Sequence, residues 1–252
     1  MLITVLGKSP SWPDAGGACS GYLVEDGTTS VLLDCGNGAF AKLRTRRDYH
    51  GIDAVVISHL HADHFLDLVP FAYALTYSPH RRRPPARPVL HAPVGARDVF
   101  RRVAGAWGSE DLIESAFEIA EYSGEDALEL GALTVDFRAV PHFVPTWAIR
   151  VRSGAATFVF GADSAPDPAI PAFARAADLL FLEATITEPE TDGPRGHMTP
   201  AEAGEQARLA GARRLVLTHI SDELDGAAAA QAAGERFGAP VQIAAEGAHF
   251  EL

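Results

Sequence analysis

Residues 58–68 read SHLHADHFLDL and place three histidines and one aspartate within six positions, directly after the apolar run DAVVI. The run has the length and composition of a buried strand, so these polar side chains stand where a strand ends. Burying them without partners would leave costly unpaired polar groups, whereas imidazole and carboxylate suit Zn²⁺, Mn²⁺ or Fe²⁺. The four side chains are His59, His61, Asp63 and His64.

This segment offers more ligands than one tetrahedral ion accepts from a single loop, and a catalytic ion also keeps one position open. It therefore predicts two ions and further ligands from other parts of the chain. His142, Asp163 and His219 are candidates, because each follows an apolar run of strand length. A single histidine after a strand is more often structural or exposed, so His142 and His219 gain weight only in combination.

The composition is that of an acidic globular chain. Its 252 residues are 47% hydrophobic, and its net charge is −12. An acidic surface repels nucleic-acid phosphates and anionic membranes, so neither is a favoured partner. No apolar run reaches the ~18 residues that a membrane span needs. The two cysteines, Cys19 and Cys35, lack metal-site spacing, and the first residues show no signal-peptide pattern, so we expect a cytoplasmic protein.

Short apolar runs bounded by Gly, Pro, Asp or Ser recur along the chain and predict strands. They lie at 2–6, 21–24, 30–34, 53–58, 88–92, 133–140, 146–151, 157–161, 178–183, 214–219 and 240–244. Helix-like stretches lie at about 64–75, 95–104, 109–117, 169–177, 199–211 and 224–237. The early strands read as hairpins and the later ones alternate with helices. This pattern predicts an α/β (α+β) fold in which two sheets pack together with helices outside, a four-layer αββα sandwich.

The helix predicted over 199–211 has the clearest boundaries. Thr199 is a good N-cap, Pro200 suits the first helical position, and Glu202 completes a Thr-x-x-Glu capping box. We expect residues 1–252 to form one domain built from two similar halves, with a break near 123–131, because no long polar linker intervenes.

Several of these segments resemble the metallo-β-lactamase superfamily, and the resemblance extends over nearly the whole chain. SHLHADH is similar to the superfamily's signature, VLLDCGNG to its early Asp-Cys-Gly motif, and VPHFVPTWAIRV, FVFGADS and LVLTHIS to its later ligand motifs. The resemblance implies one ion held by His59, His61 and His142, a second held by Asp63, His64 and His219, and Asp163 bridging both. It also implies that Asp34 supports the ligands from behind.

Two further matches resemble ribonuclease Z and its relatives. LFLEATI with GHMTPAEAG is similar to their Glu-Ala-Thr and His-x-Thr motifs. The opening ITVLGKSPSWPDAGGACSGYLV resembles a bacterial group of short members, some of which are considered cyclic-nucleotide phosphodiesterases. The resemblance implies that His197 reaches the scissile phosphate as a general acid and that Glu183 orients it. Asp63 is a candidate acceptor for the nucleophile's proton.

The chain departs from other branches of the superfamily. Asp163 stands where true β-lactamases typically have Cys, and His61 stands where the diiron flavoproteins have Glu, so antibiotic hydrolysis and redox chemistry are not expected. The long Gly/Pro-rich arm with which ribonuclease Z grips tRNA has no counterpart between His142 and His197.

The predicted activity is therefore that of a hydrolase with two divalent ions, Zn²⁺ in the first instance and Mn²⁺ or Fe²⁺ as alternatives. A metal-bridged hydroxide would attack the phosphodiester of a small or cyclic nucleotide. A ribonuclease Z-like endoribonuclease and a lactone, ester or thioester hydrolase are the alternatives on the same metal centre, because this fold hosts many chemistries.

Two surface features bear on partners. Seven arginines between positions 81 and 102 could bind RNA phosphates, although a solvated loop is the more common outcome for such a charge run. They are Arg81, Arg82, Arg83, Arg87, Arg97, Arg101 and Arg102. The apolar stretch FLDLVPFAYAL at 65–75 could contribute to a homodimer by analogy with ribonuclease Z, although buried core is the usual fate of such a stripe.

Overall fold

The computed structural model describes residues 1–124 and 127–252, and within them the strands form two mixed seven-stranded sheets. The first sheet contains β1 (Leu2–Gly7), β2 (Gly21–Asp26), β3 (Thr29–Leu33), β4 (Ala54–Val56), β5 (Val89–Pro93) and β6 (Glu118–Tyr122). Strands β1 to β3 form antiparallel hairpins, whereas β3 to β6 pair in parallel.

The second sheet has the same sequence of pairings. Its strands are β7 (Leu128–Leu130), β8 (Leu133–Val140), β9 (Thr146–Ser153), β10 (Ala156–Phe160), β11 (Leu179–Glu183), β12 (Leu215–Thr218) and β13 (Gln242–Ile243). Strands β7 to β10 pair antiparallel and β10 to β13 pair in parallel. The C-terminal strand β14 (His249–Glu251) returns to the first sheet and pairs antiparallel with β1.

Helices cover the outer face of each sheet. The described residues form α1 (Ala39–Arg46), α2 (Ala62–Phe65), α3 (Leu68–Tyr77), α4 (Ala96–Gly105), α5 (Leu112–Ala116), α6 (Ala169–Phe173), α7 (Pro200–Ala210) and α8 (Gly226–Phe237). Buried side chains of α1 to α5 pack on the first sheet, and those of α6 to α8 pack on the second.

Three apolar layers separate these four layers of secondary structure. In the central layer, side chains such as Val24 and Val31 from the first sheet meet Phe158, Phe160 and Phe181 from the second. The two outer layers lie between each sheet and its helices. The predicted four-layer αββα sandwich is therefore confirmed. Because the central layer excludes water, functional groups are found where strands end at the rim.

The capping box predicted for the helix over 199–211 is present in α7. Thr199 Oγ1 accepts a hydrogen bond from the Glu202 N–H at 3.3 Å, and the Glu202 carboxylate accepts one from the Thr199 N–H at 2.9 Å. The structure differs at the helix predicted over 64–75, which is broken between α2 and α3. The break follows from the Asp67 N–H, which donates to the Cys35 carbonyl at 3.0 Å instead of continuing the helical ladder.

Some elements lack a sequence signal. Helix α1 begins after Gly38, whose φ is 88°. Glycine has no side chain that could cap the helix, so the sequence gives no capping signal for its start. Strands β6, β7 and β14 are also additional to the predicted set. In the 65–75 stripe, Phe65 and Phe71 are buried core while Tyr73 is 37% exposed; a homodimer stays a prediction.

The chain passes from the first sheet to the second between β6 and β7. This is the region of the predicted break at 123–131, of which residues 125 and 126 lie outside the described residues. A single domain of two similar halves stays a prediction. Among the described residues, no helix combines the length and apolar character needed to cross a membrane.

A substitution at Phe181 tests the packing between the two sheets in the central layer. Its ring is fully buried and lies 5.1–5.5 Å, between centroids, from the rings of Tyr22, Phe158 and Phe250. Phe181→Ala is expected to lower the free energy of unfolding by about 3–5 kcal/mol, since it leaves a cavity between the two sheets. Denaturant unfolding followed by circular dichroism measures the loss. Leu209→Ala, at a side chain 56% exposed, is the control with a loss of about 0.5 kcal/mol or less; equal losses would contradict the packing described here.

Candidate metal centre

The seven predicted ligand residues lie together at one edge of the sandwich, although they come from four separate segments. Residues 59–64 follow β4 and enter α2, His142 and Asp163 lie in the loops after β8 and β10, and His219 directly follows β12. Strands β8, β10 and β12 run in the same direction within their sheet. Their carboxyl ends therefore meet at the same edge, which brings the side chains together.

His59, His61, His142 and Asp163 form the first group, in which one potential ligand atom from each residue lies within 4.8 Å of the others. Nε2 of His59 lies 3.2 Å from Nδ1 of His61, and Nε2 of His142 lies 3.1 Å from the same atom. Two nitrogens bound to one tetrahedral ion at about 2.0–2.1 Å stand roughly 3.3 Å apart. Burial lowers the pKa of all three imidazoles, which favours the neutral form that binds metal.

Asp63, His64, Asp163 and His219 form the second group. Oδ2 of Asp63 lies 3.2 Å from Nε2 of His219 and 3.4 Å from Nε2 of His64. Burial opposes the charge on Asp63, but hydrogen bonds and charges of His219 and His64 outweigh it and lower the pKa of this carboxyl. The group therefore offers an ionised carboxylate beside two imidazoles.

Asp163 belongs to both groups. Its Oδ2 lies 3.8 Å from Nε2 of His59, 3.9 Å from Nε2 of His142, 3.4 Å from Nε2 of His64 and 3.3 Å from Nε2 of His219. Burial would raise the pKa of Asp163, but the charges of His219 and His64 lower it well below its usual range. The other oxygen, Oδ1, and Nε2 of His64 are buried without a hydrogen-bond partner. Buried polar atoms rarely stay unpaired, so these donor atoms fit bound cations.

Asp34 stands behind the second group. Its Oδ2 accepts a hydrogen bond from Nδ1 of His64 at 2.7 Å, and its carboxylate also accepts from the N–H and Oγ of Ser58 at 2.7 and 2.8 Å. These bonds turn Nε2 of His64 toward the other ligand atoms, as carboxylates behind metal-binding histidines do. Burial opposes the charge on His64, but Asp163 and Asp34 outweigh it and raise its pKa, so this corner attracts positive charge.

Glu183 and His197 lie beside the two groups. Glu183 ends β11 and is buried, and its Oε1 accepts a hydrogen bond from Nδ1 of His197 at 2.9 Å. Burial opposes the charge on His197, but Glu183 outweighs it and raises the pKa to about 9. The rings of His197 and His219 are stacked with centroids 5.8 Å apart. Glu183, His197 and His219 also have ligand-capable atoms within 4.8 Å of one another, although Glu183 is already engaged by His197.

Backbone strain is concentrated at this site. Asp34, Ala162 and His219 have φ values of 55°, 54° and 48°, in the left-handed region that non-glycine residues rarely adopt. Such conformations cost on the order of 1–3 kcal/mol each and persist only where surrounding structure imposes them. The strand-end loops therefore hold these residues against their local preference.

Sequence reasoning missed two groups that orient the histidines. Thr185 Oγ1 donates to the carbonyl of His219 at 3.0 Å and lies 2.8 Å from its Nδ1, where it can accept a hydrogen bond. The Gly196 carbonyl accepts a hydrogen bond from Nδ1 of His142 at 2.7 Å. Both contacts leave Nε2 of the histidine free for the ligand groups. Thr185 could have been found in the Glu-Ala-Thr motif, but a backbone carbonyl has no signature in the sequence.

Asp34 is predicted to set the affinity of the site for metal. Asp34→Ala removes the acceptor for Nδ1 of His64, so we expect divalent metal to bind about 10- to 100-fold more weakly. Competition against a chromogenic chelator measures this. Asp53→Ala is the matched control, because Asp53 also accepts a backbone N–H, from Ser30 at 2.8 Å, but precedes β4 rather than following β3. Unchanged affinity in a folded Asp34→Ala protein would show that the carboxylate does not support the site.

Comparisons with known proteins identify the family. Residues 29–220 match the family described as Beta-lactamase superfamily domain. The probable metallo-hydrolase YhfI of Bacillus subtilis is 30% identical over 220 residues, which are 87% of each chain. The crystal structure of YhfI has a TM-score of 0.85 at 28% identity and covers 99% of both chains. Ribonuclease Z of Myxococcus xanthus is 26% identical over 306 aligned residues, covering 100% of this chain and 98% of its own. The chain therefore belongs to the β-lactamase superfamily, among relatives that include a probable metallo-hydrolase and ribonuclease Z.

Proposed function

We propose that the chain is a dinuclear metal-dependent phosphodiesterase that hydrolyses a small or cyclic nucleotide. The observation that carries this proposal is the place of His197. It stands beside the second ligand group, and a buried carboxylate, Glu183, holds its Nδ1. A hydrolase that expels an alkoxide needs a proton donor next to its metal centre, and histidine is the side chain most often used for this task.

The two ligand groups divide the seven residues between two ions. His59, His61 and His142 would hold one ion, Asp63, His64 and His219 would hold the other, and Asp163 reaches both. Divalent ions bound there, Zn²⁺ or alternatively Mn²⁺ or Fe²⁺, would supply Lewis-acid stabilisation of phosphoryl oxygens and lower the pKa of a water molecule. The ionised carboxylate of Asp63 is the proposed acceptor of the nucleophile's proton.

His197 would deliver the proton to the leaving oxygen. Because Nδ1 donates to Glu183, the second proton of the charged ring lies on Nε2. Despite burial, Glu183 raises the pKa of His197 to about 9 in the metal-free chain, which favours the charged form of the ring. Glu183 thus keeps both the orientation and the charge of the donor.

A small substrate is favoured over RNA because six of the seven arginines between positions 81 and 102 already have hydrogen-bond partners within the chain. Arg82 pairs with Asp48 at 3.1 Å and Arg101 pairs with Asp111 at 3.0 Å. Arg97 donates to the Ile119 carbonyl at 2.7 Å. In addition, the chain between His142 and Asp163 contains only the β9–β10 hairpin and its flanking loops. The relationship to ribonuclease Z supports phosphodiester chemistry. The short connection between His142 and Asp163 leaves no room for an arm that grips tRNA, which weighs against a tRNA substrate.

His197→Ala is predicted to lower kcat for a hydrolysed cyclic nucleotide by about 10²- to 10⁴-fold, because the ribose alkoxide would leave without a proton. Hydrolysis of bis(p-nitrophenyl) phosphate should fall much less, since p-nitrophenolate is weakly basic and leaves unaided. Steady-state kinetics and metal analysis of the same preparations provide the measurement. His80→Ala, at an exposed histidine outside the site, is the control.

Three results would count against the proposal. Equal losses on both substrates would remove His197 as the proton donor, and loss of metal would make it a ligand instead. If the metal-loaded wild type hydrolyses neither the cyclic nucleotide nor bis(p-nitrophenyl) phosphate but cleaves precursor tRNA, a lactone or a thioester, the proposed substrate class is wrong.

A further inference from the structure

We propose that Phe143 is a platform on which the planar base of the substrate stacks, on the leaving-group side of the metal centre. This inference rests on the proposed phosphodiesterase function and assigns the residue that would bind the base of its substrate. The substrate would be a phosphodiester that carries an aromatic base close to its leaving oxygen. Phe143 directly follows His142 in the loop between β8 and β9.

The exposure of Phe143 sets it apart from the other phenylalanines. It is 51% exposed, whereas the other twelve are buried or partly buried. A single exposed apolar side chain needs no explanation by itself, because much of any protein surface is apolar. The position and the fixed geometry of this ring are what indicate a role.

Gly196 holds the ring in place. A Cβ built on Gly196 would lie 2.2 Å from Cε2 and 2.4 Å from Cζ of Phe143, so the ring edge rests directly on the backbone where a side chain would stand. The carbonyl of Gly196 also accepts the hydrogen bond from Nδ1 of His142. Ring, backbone and histidine therefore pack together in one corner, so the ring would lose less conformational freedom on stacking than a side chain without these contacts.

The neighbours of this corner are the groups proposed to act on the phosphodiester. The centroid of the Phe143 ring lies 5.0 Å from that of His142 and 5.8 Å from that of His197, to which it is T-shaped at 68°. His142 is a proposed ligand of one ion, and His197 is the proposed donor to the leaving oxygen. A substrate bound with its leaving oxygen at His197 would carry the sugar and the attached base toward Phe143.

An apolar ring in this position complements the metal centre. The cations and imidazoles would bind the anionic phosphoryl group, which all phosphodiesters share. The aromatic face would bind the part of the substrate that distinguishes a nucleotide from an alkyl phosphodiester. Stacking on an aromatic side chain tolerates any base, because every base has a π face. We therefore expect discrimination between substrates with and without a base, and weak discrimination among bases.

A matched pair of substrates tests the platform. Adenosine 3′,5′-cyclic phosphate carries a base, and 1-O-methylribose 3′,5′-cyclic phosphate carries a methoxy group in its place. We expect Phe143→Leu to raise KM about tenfold for the nucleotide and to leave KM for the base-free compound unchanged, since leucine retains apolar packing on Gly196 but has no π face. Phe143→Trp should retain the low KM of the wild type for the nucleotide. Trp107→Leu, at another exposed aromatic side chain beyond α4, should change neither value.

Binding without turnover gives a second measurement. Calorimetry on the metal-loaded proteins should show that Phe143→Leu weakens the binding of adenosine 5′-monophosphate about tenfold and leaves the binding of ribose 5-phosphate unchanged. The platform is wrong if wild type treats both cyclic phosphates alike, or if Phe143→Leu affects both equally with unchanged metal content; the phosphodiesterase proposal would survive either result. If wild type hydrolyses neither cyclic phosphate nor bis(p-nitrophenyl) phosphate, the proposed function itself fails.

Discussion

One buried carboxylate oxygen, Oδ2 of Asp163, lies within 3.9 Å of four imidazole nitrogens that come from three parts of the chain. Placing so many polar groups in a buried site is costly unless each finds a partner. Direct hydrogen bonds do not satisfy all of these atoms, since Oδ1 of Asp163 and Nε2 of His64 are buried without a partner. Divalent cations bound between the ligand atoms would resolve this conflict, and the proposed chemistry would follow from the same cations.

The sandwich keeps these ligand atoms close together through strands that end at one edge. Supporting groups behind the ligands then orient individual rings, among them the buried Asp34 behind His64 and the half-buried Thr185 behind His219. Left-handed backbone at Asp34 and His219 shows that the surrounding fold, rather than local preference, sets their geometry. Rigid strands with adaptable loops at their ends are a suitable frame for a site of this kind.

Much of this arrangement was predictable, because both the fold and the site leave periodic or repeated traces in the sequence. Apolar runs of strand length indicated two sheets, and a metal-capable residue after several runs indicated where side chains would converge. Helix α1 was missed because Gly38 supplies no side-chain cap. The helix break before Leu68 was missed because it depends on a hydrogen bond from the Asp67 N–H to the carbonyl of Cys35, which lies beyond the end of β3 and far away in the sequence. The carbonyl of Gly196 and the ring of Phe143 acquire their roles only through tertiary contacts, which no local pattern encodes.

Anomalous diffraction from crystals of the purified protein, recorded at the absorption edge of the metal it contains, tests the dinuclear centre most directly. The account predicts two peaks roughly 3.5–4 Å apart. Each should lie about 2.0–2.2 Å from nitrogen or oxygen atoms of its own group, with the Asp163 carboxylate between them. A fully metal-loaded crystal with no peak at this edge of the sandwich, or with a single peak that Asp163 does not contact, would contradict it.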